Sequence, residues 1–153
     1  MDHTGNPLAG YGEAAQKYLD RDVFKGTPIT GAMLEKAARR AYEKYGQTVP
    51  LSFALAQAQF ESAMGTKGRN PKTNPYNVGE FDSGTKMRFK STQDGINAYY
   101  DLIMSDYAKS NGIGHLYTNF VNKDGNRYAS NKEYEQKLKD QTLFIEKFLQ
   151  GGK

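Results

Sequence analysis

The stretch that decides the reading is residues 49–65, VPLSFALAQAQFESAMG. Pro50 suits the first helical position, where a missing N–H costs nothing. Leu51, Ala54, Leu55 and Ala58 then recur at helical spacing, which predicts an amphipathic helix with one buried stripe. Ala54, Ala56 and Ala58 are small enough to let a second helix approach closely, and Gly65 is the expected C′ residue. Glu61 stands out in this frame. A carboxylate in the last turn meets the partial negative charge of the helix C-terminus, where Lys or Arg is the usual charged residue. It also falls three residues beyond Ala58, at the margin of the buried face.

Working outward, PITGAMLEKAARRAYEKYG (residues 28–46) predicts a preceding helix. Thr30 is its N-cap, Ile29 and Leu34 form a hydrophobic staple, and Leu34, Ala37, Ala38, Ala41 and Tyr45 make the apolar stripe. Residues 1–28, interrupted by Gly5, Gly10, Gly12 and Gly26, read as an N-terminal extension with a short helix in EAAQKYLDRDVF, and residues 29–153 as the domain proper. After Gly65 the Gly-, Pro- and Asn-rich GTKGRNPKTNP is a loop. YNVGEFDSGTKMRFKS predicts a β-hairpin with DSGT as its turn. Ser91 with Asp94 resembles a capping box opening a helix through residue 109, with Ile96, Tyr99, Tyr100, Ile103 and Tyr107 inward. A short helix at HLYTNFV and a turn at KDGN follow. Ser130 and Glu133 cap a last helix that turns Tyr134, Leu138, Ile145, Phe148 and Leu149 inward. The expected fold is mainly α, with one small hairpin after the helix that carries Glu61.

Composition narrows the function. The chain has 153 residues, 37% hydrophobic and 25% charged, which suits one globular domain. No apolar run approaches a membrane span of roughly 18 residues, so no membrane insertion is expected. MDHTGNPLAG has neither a basic n-region nor an apolar h-region, so no signal peptide is expected. The absence of Cys removes thiolate ligands and thiol nucleophiles, and His3 and His115 are too isolated for a metal site; no metal and no cofactor is expected. The net charge of +4 favours anionic partners. Its densest cluster, KAARRAYEK, reads as a solvated helix face, and nucleic acid is set aside. Ser62 has no nearby His and reads as a local hydrogen-bonding residue, not a nucleophile.

Glycosidic cleavage requires a proton donor for the leaving oxygen near neutral pH. A helix C-terminus and partial burial both disfavour an ionised carboxylate, so the placement of Glu61 suits a general acid. Four stretches then show a resemblance. ALAQAQFESAMGTKG resembles the catalytic-helix motif of the glucosaminidase family, glycoside hydrolase family 73, Ala-Gln-x-x-x-Glu-Ser-x-x-Gly. TNPYNVG resembles its Asn-Asn-x-Phe-Gly-Ile-Lys stretch, RFKSTQDGINAYYDLI its Phe-Arg-x-Tyr segment, and RYASNKEYEQKL its Tyr-Ala-Thr-Asp-x-x-Tyr motif. The four occur in family order across residues 54–138.

The resemblance implies a lysozyme-like α+β fold, cleavage of the glycan strand of peptidoglycan, and Glu61 as the catalytic acid. It implies Tyr128 as a groove tyrosine; Asn74, Tyr76 and Asn77 are further substrate-binding candidates, and Tyr76 and Tyr128 read equally as core-edge residues. The segment between NVG and RFKS is shorter than in the family, and Asn77 stands where its Phe-Gly pair has glycine. Glu80 and Asp82 are the candidates for the second carboxylate, Glu80 slightly preferred. A β-N-acetylglucosaminidase and a muramidase both remain open, as do a lytic transglycosylase and a non-catalytic cell-wall-binding or assembly module. The substrate implies action outside the cytoplasm. Delivery by a phage virion is the preferred route, with virion or secretion components as further partners.

Overall fold

The computed structural model describes residues 8–67, 72–80, 85–86, 89–108, 113–117, 120–122, 124–125, 127–129, 131 and 133–151. It is mainly helical: α1 (Tyr11–Leu19), α2 (Gly31–Tyr45), α3 (Leu51–Ser62), α4 (Thr92–Leu102) and α5 (Tyr134–Leu149). Gly79–Glu80 (β1) and Thr85–Lys86 (β2) pair antiparallel, Gly79 opposite Lys86 and Glu80 opposite Thr85. Residues 81–84, which hold most of the expected DSGT turn, lie outside the described residues.

The local signals for α2 and α4 act as expected. Thr30 Oγ1 accepts the Met33 N–H, and Gly46 closes α2 at φ 79°, a left-handed conformation glycine adopts without strain. Ser91 Oγ accepts the Asp94 N–H at the start of α4. α4 gives way at Ile103–Ala108 to a wider π-helical turn, where one continuous helix was expected. The turn keeps Ile103 and Tyr107 buried and sets the Tyr107 ring edge-on to Phe120 at 5.1 Å. At α5 the cap differs. Ser130 lies outside the described residues, and Asn131 Oδ1 accepts the Glu133 N–H at 2.8 Å.

The single stripe expected for α3 is replaced by burial all round. Phe53, Ala54, Leu55, Ala56, Gln57 and Ala58 are all buried, as is Ser52. A helix buried on every side is a central one, and its small residues allow that. α5 packs along it, and the Tyr76 hydroxyl reaches the Ala54 carbonyl at 2.9 Å. The segment read as an extension joins the same core through Tyr11, Ala15, Tyr18, Leu19 and Phe24. The Tyr11 hydroxyl donates to the Val49 carbonyl at 2.7 Å, so the 2.6 Å bond to Tyr100 takes its proton from Tyr100. Tyr76 stacks on Tyr99 with centroids 3.7 Å apart. The cationic face of α2 is solvated and paired, Arg39 with Glu35 within the helix and Arg40 with Asp101 of α4.

One partly buried ion pair ties the loop before α5 to that helix. Arg127 makes 2.8 Å bonds to both oxygens of Glu135, and Glu135 Oε2 also accepts the Phe120 N–H. Burial by itself would raise the Glu135 carboxyl, but the guanidinium and the backbone donor outweigh it and hold the carboxyl below the ordinary glutamate range. A depressed folded-state pKa contributes stability above the unfolded value of about 4.3 and loses it as pH falls through the folded value. Glu135→Gln is therefore expected to melt below the wild type at pH 7, with the gap closing as pH falls below about 4. Thermal melts across that range check it; a gap independent of pH would count against this origin.

Candidate active site

α3 emerges from the core at its last turn. Residues 52–58 are buried, Gln59 and Glu61 are half-buried, and Phe60 is exposed. The helix ends earlier than the glycine predicts. Ala63 takes the C′ role at φ 49°, followed by Met64 at 64° and Gly65 at 81°. A left-handed non-glycine residue costs roughly 1–2 kcal/mol, so two in succession need support from the rest of the turn. The Ala63 N–H bonds back to the Gln59 carbonyl, the bond of an αL cap, the Met64 N–H reaches the Ala58 carbonyl, and the Met64 side chain is fully buried. Ser62 Oγ accepts the Gly65 N–H at 2.7 Å and donates to the Pro75 carbonyl at 2.6 Å. Ser62 is thus the pin of this turn.

The loop of residues 72–78 is pinned from the other side. Asn74 Nδ2 donates to the Val78 carbonyl, and Asn74 Oδ1 accepts the Val78 N–H. Asn77 is held at φ 53°, and its Nδ2 donates to the Glu61 backbone carbonyl at 2.8 Å. Ala63, Met64 and Asn77 are the positive-φ non-glycine residues among those described, and they converge on the turn that carries Glu61. Strain gathered in this way is common at functional sites.

The Glu61 carboxylate receives the Tyr134 hydroxyl on Oε2 at 3.1 Å. Burial first, and then the charge of Glu61, push the Tyr134 pKa well up, so the hydroxyl remains a donor. The Tyr134 oxygen in turn accepts from Gln57 Nε2 at 3.1 Å, and Gln57 Oε1 accepts the Tyr99 hydroxyl at 2.5 Å. Tyr128 is stacked on Phe120 at 4.4 Å and lies 5.9 Å from Tyr134, centroid to centroid. Its pKa is raised by burial and next by the charge of Glu61. Phe60 meets Tyr134 edge-on at 5.8 Å.

The structure therefore brings Glu61, Asn77 and Tyr128 together. Tyr76 and Asn74, expected to line a groove, are 0% and 1% exposed. Their polar atoms hold the chain internally, so they support the loop rather than face a ligand. Asn77 grips the backbone of Glu61. Glu80 lies in β1, while Asp82 lies outside the described residues. Gln57, Tyr99 and Tyr134 are site residues that the sequence reading missed or assigned to the core. Gln57 and Tyr134 were nonetheless visible, since they occupy the Gln of the catalytic-helix motif and the final Tyr of the late motif. Among the described residues no group of three His, Cys, Asp or Glu is placed to hold a metal ion.

A helical domain whose central helix surfaces at a tyrosine-held carboxylate presents Glu61 as its candidate catalytic group. The glucosaminidase family model, described as mannosyl-glycoprotein endo-beta-N-acetylglucosaminidase, matches residues 35–143, and the chain belongs to that family. No curated protein matches the chain significantly. Family membership supports glycoside hydrolysis with peptidoglycan as substrate, and hence action outside the cytoplasm. Among the described residues no helix is long and apolar enough to cross a membrane.

Proposed function

We propose that the chain cleaves the β-1,4 glycan strand of peptidoglycan, with Glu61 as the general acid. The observation that carries this reading is the position of Glu61, where the buried α3 reaches solvent, with its backbone held by Asn77 and its carboxylate by Tyr134. In the reaction Glu61 gives its proton to the glycosidic oxygen as the C1–O bond breaks. The alcohol departs, and positive charge develops on the sugar left behind. A carboxylate from the hairpin region, Glu80 or Asp82, would stabilise that charge, form a covalent intermediate, or activate a water. Separations of about 5 Å and of more than about 6.5 Å distinguish the last two.

Digestion of purified peptidoglycan, with mass spectrometry of the soluble fragments, tests the reading. Reducing N-acetylglucosamine ends mark a glucosaminidase and reducing N-acetylmuramic acid ends a muramidase. A 1,6-anhydro end marks a lytic transglycosylase. Absence of any release over a broad range of pH and wall types would defeat the hydrolase reading and leave a wall-binding module.

Phe60 is 39% exposed beside the acid, and its edge-on contact with Tyr134 fixes the ring. An aromatic face in this position suits the apolar face of a sugar ring. Phe60→Ala is expected to raise KM about tenfold on a soluble glycan oligomer with kcat little changed. Steady-state kinetics check it, and an unaltered KM would remove Phe60 from the sugar-binding surface.

A further inference from the structure

We infer that Gln57 is a positioning residue for Glu61, acting through Tyr134 in a directed Tyr99–Gln57–Tyr134–Glu61 relay. The inference rests on the reading of Glu61 as the general acid. Gln57 and Tyr99 are both 0% exposed, so no water competes for their polar atoms. The polarity of the chain follows from what each group can do. An ionised carboxylate only accepts, so the Tyr134 proton must point at Glu61 Oε2. Tyr134 then has only lone pairs for Gln57, which must present its amide nitrogen, Nε2. That leaves Gln57 Oε1 facing Tyr99, which must donate. Each step fixes the next.

The consequence is chemical. Gln57 Nε2 cannot accept a proton, so Tyr134 has no acceptor on that side and keeps its proton on Glu61 Oε2. Oε2 is an acceptor whether the carboxyl is charged or neutral, and the acid proton is carried by Oε1. The relay therefore selects which oxygen delivers the proton and fixes the rotation of the carboxyl plane. Rotating the Gln57 amide would reverse this: Oε1 would then accept from Tyr134, and Glu61 would lose its donor.

Three further described groups near Glu61 act differently from the relay. Tyr128, from the 120–128 loop, is coupled to it by charge. Asn77, from the 72–78 loop, engages the backbone only as far as its Nδ2 is concerned. Glu135, next to Tyr134 on α5, is neutralised by Arg127.

The test is a carbon-13 NMR titration of the Glu61 carboxyl in the full chain, its signal assigned by loss in Glu61→Gln. It is run alongside kcat, KM and the pH profile of glycan cleavage. Because a donor to the charged form favours that form, losing it should raise the Glu61 midpoint by about one pH unit. The alkaline limb of the pH profile should move up with it. Tyr134→Phe, Gln57→Met and Tyr99→Phe should all show this shift, with kcat reduced about tenfold and KM unchanged. Tyr99→Phe removes a single hydroxyl and keeps the stacked ring, so it carries the test should Gln57→Met fail to fold. A shift in Tyr134→Phe alone would overturn the relay and leave Tyr134 acting by itself. Shifts in all three with no fragments released by the wild type would keep the relay and defeat the hydrolase reading.

Discussion

Glu61→Gln is expected to lower release of soluble glycan fragments by about two to four orders of magnitude while leaving the fold intact. The amide is isosteric with the carboxyl. Its oxygen can still accept the Tyr134 hydroxyl that Oε2 accepts at 3.1 Å, so that bond is kept. What is lost is the proton: an amide nitrogen does not protonate a departing sugar oxygen. Stability should hold or rise slightly, because the substitution removes a negative charge from a helix C-terminus, where it is unfavourable by a few tenths of a kcal/mol to about 1. The combination is diagnostic. Loss of activity with an unchanged or higher melting temperature assigns Glu61 to chemistry. Comparable losses of both would make it a structural residue, and an active Glu61→Gln would move the acid elsewhere. Thermal melts and fragment release on the same preparations decide.

Much of the fold was legible because its signals are local. Thr30 and Gly46 delimit α2, and Ser91 opens α4, through side-chain and backbone chemistry that operates within four residues. What was not legible depends on partners distant in sequence. Ala carries no preference between a stripe and a fully buried helix, so residues 51–58 could not announce that α3 is central. The end of α3 was misread because Gly65 is the obvious left-handed residue, whereas Ala63 takes the C′ role. Ser62 and the Pro75 carbonyl, thirteen residues on, support that turn. The site divides in the same way. Glu61 was readable from its conflict with the helix dipole. Gln57 and Tyr134 sit 77 residues apart, and neither conflicts with its own helix, so the motifs mark them while only their bond to each other shows how they bear on Glu61. Tyr76 was open between a groove and the core edge because tyrosine serves both, and here its hydroxyl finds a buried carbonyl.

Gly95→Ala should damage the site from a distance. A Cβ on Gly95 would lie 2.0 Å from the Thr73 carbonyl oxygen and 3.3 Å from Asn74 Cα. The obstructing atoms are backbone, with no flexible side chain to move aside. The loop sits this close because α4 is bonded to it, Thr92 Oγ1 donating to the Lys72 carbonyl. Ala gains about 1 kcal/mol over Gly in a helix interior, but overpacking of this kind costs about 1–3 kcal/mol and more where backbone must shift. A net loss of about 1–2 kcal/mol is expected, a fall in melting temperature of a few degrees for a chain of this size. Activity should fall by more than the unfolded fraction accounts for. The displaced loop carries the Pro75 carbonyl that receives Ser62 and the Asn77 amide that holds the Glu61 backbone. Gly114→Ala, where an added Cβ meets nothing within 4 Å, is the matched control and should leave both properties near wild type. If Gly95→Ala lost stability but kept full activity at a temperature where it is folded, the loop would have no part in placing Glu61. If it lost activity in proportion to a displaced loop, the strained turn at Ala63 and Met64 would be maintained by packing that begins in α4.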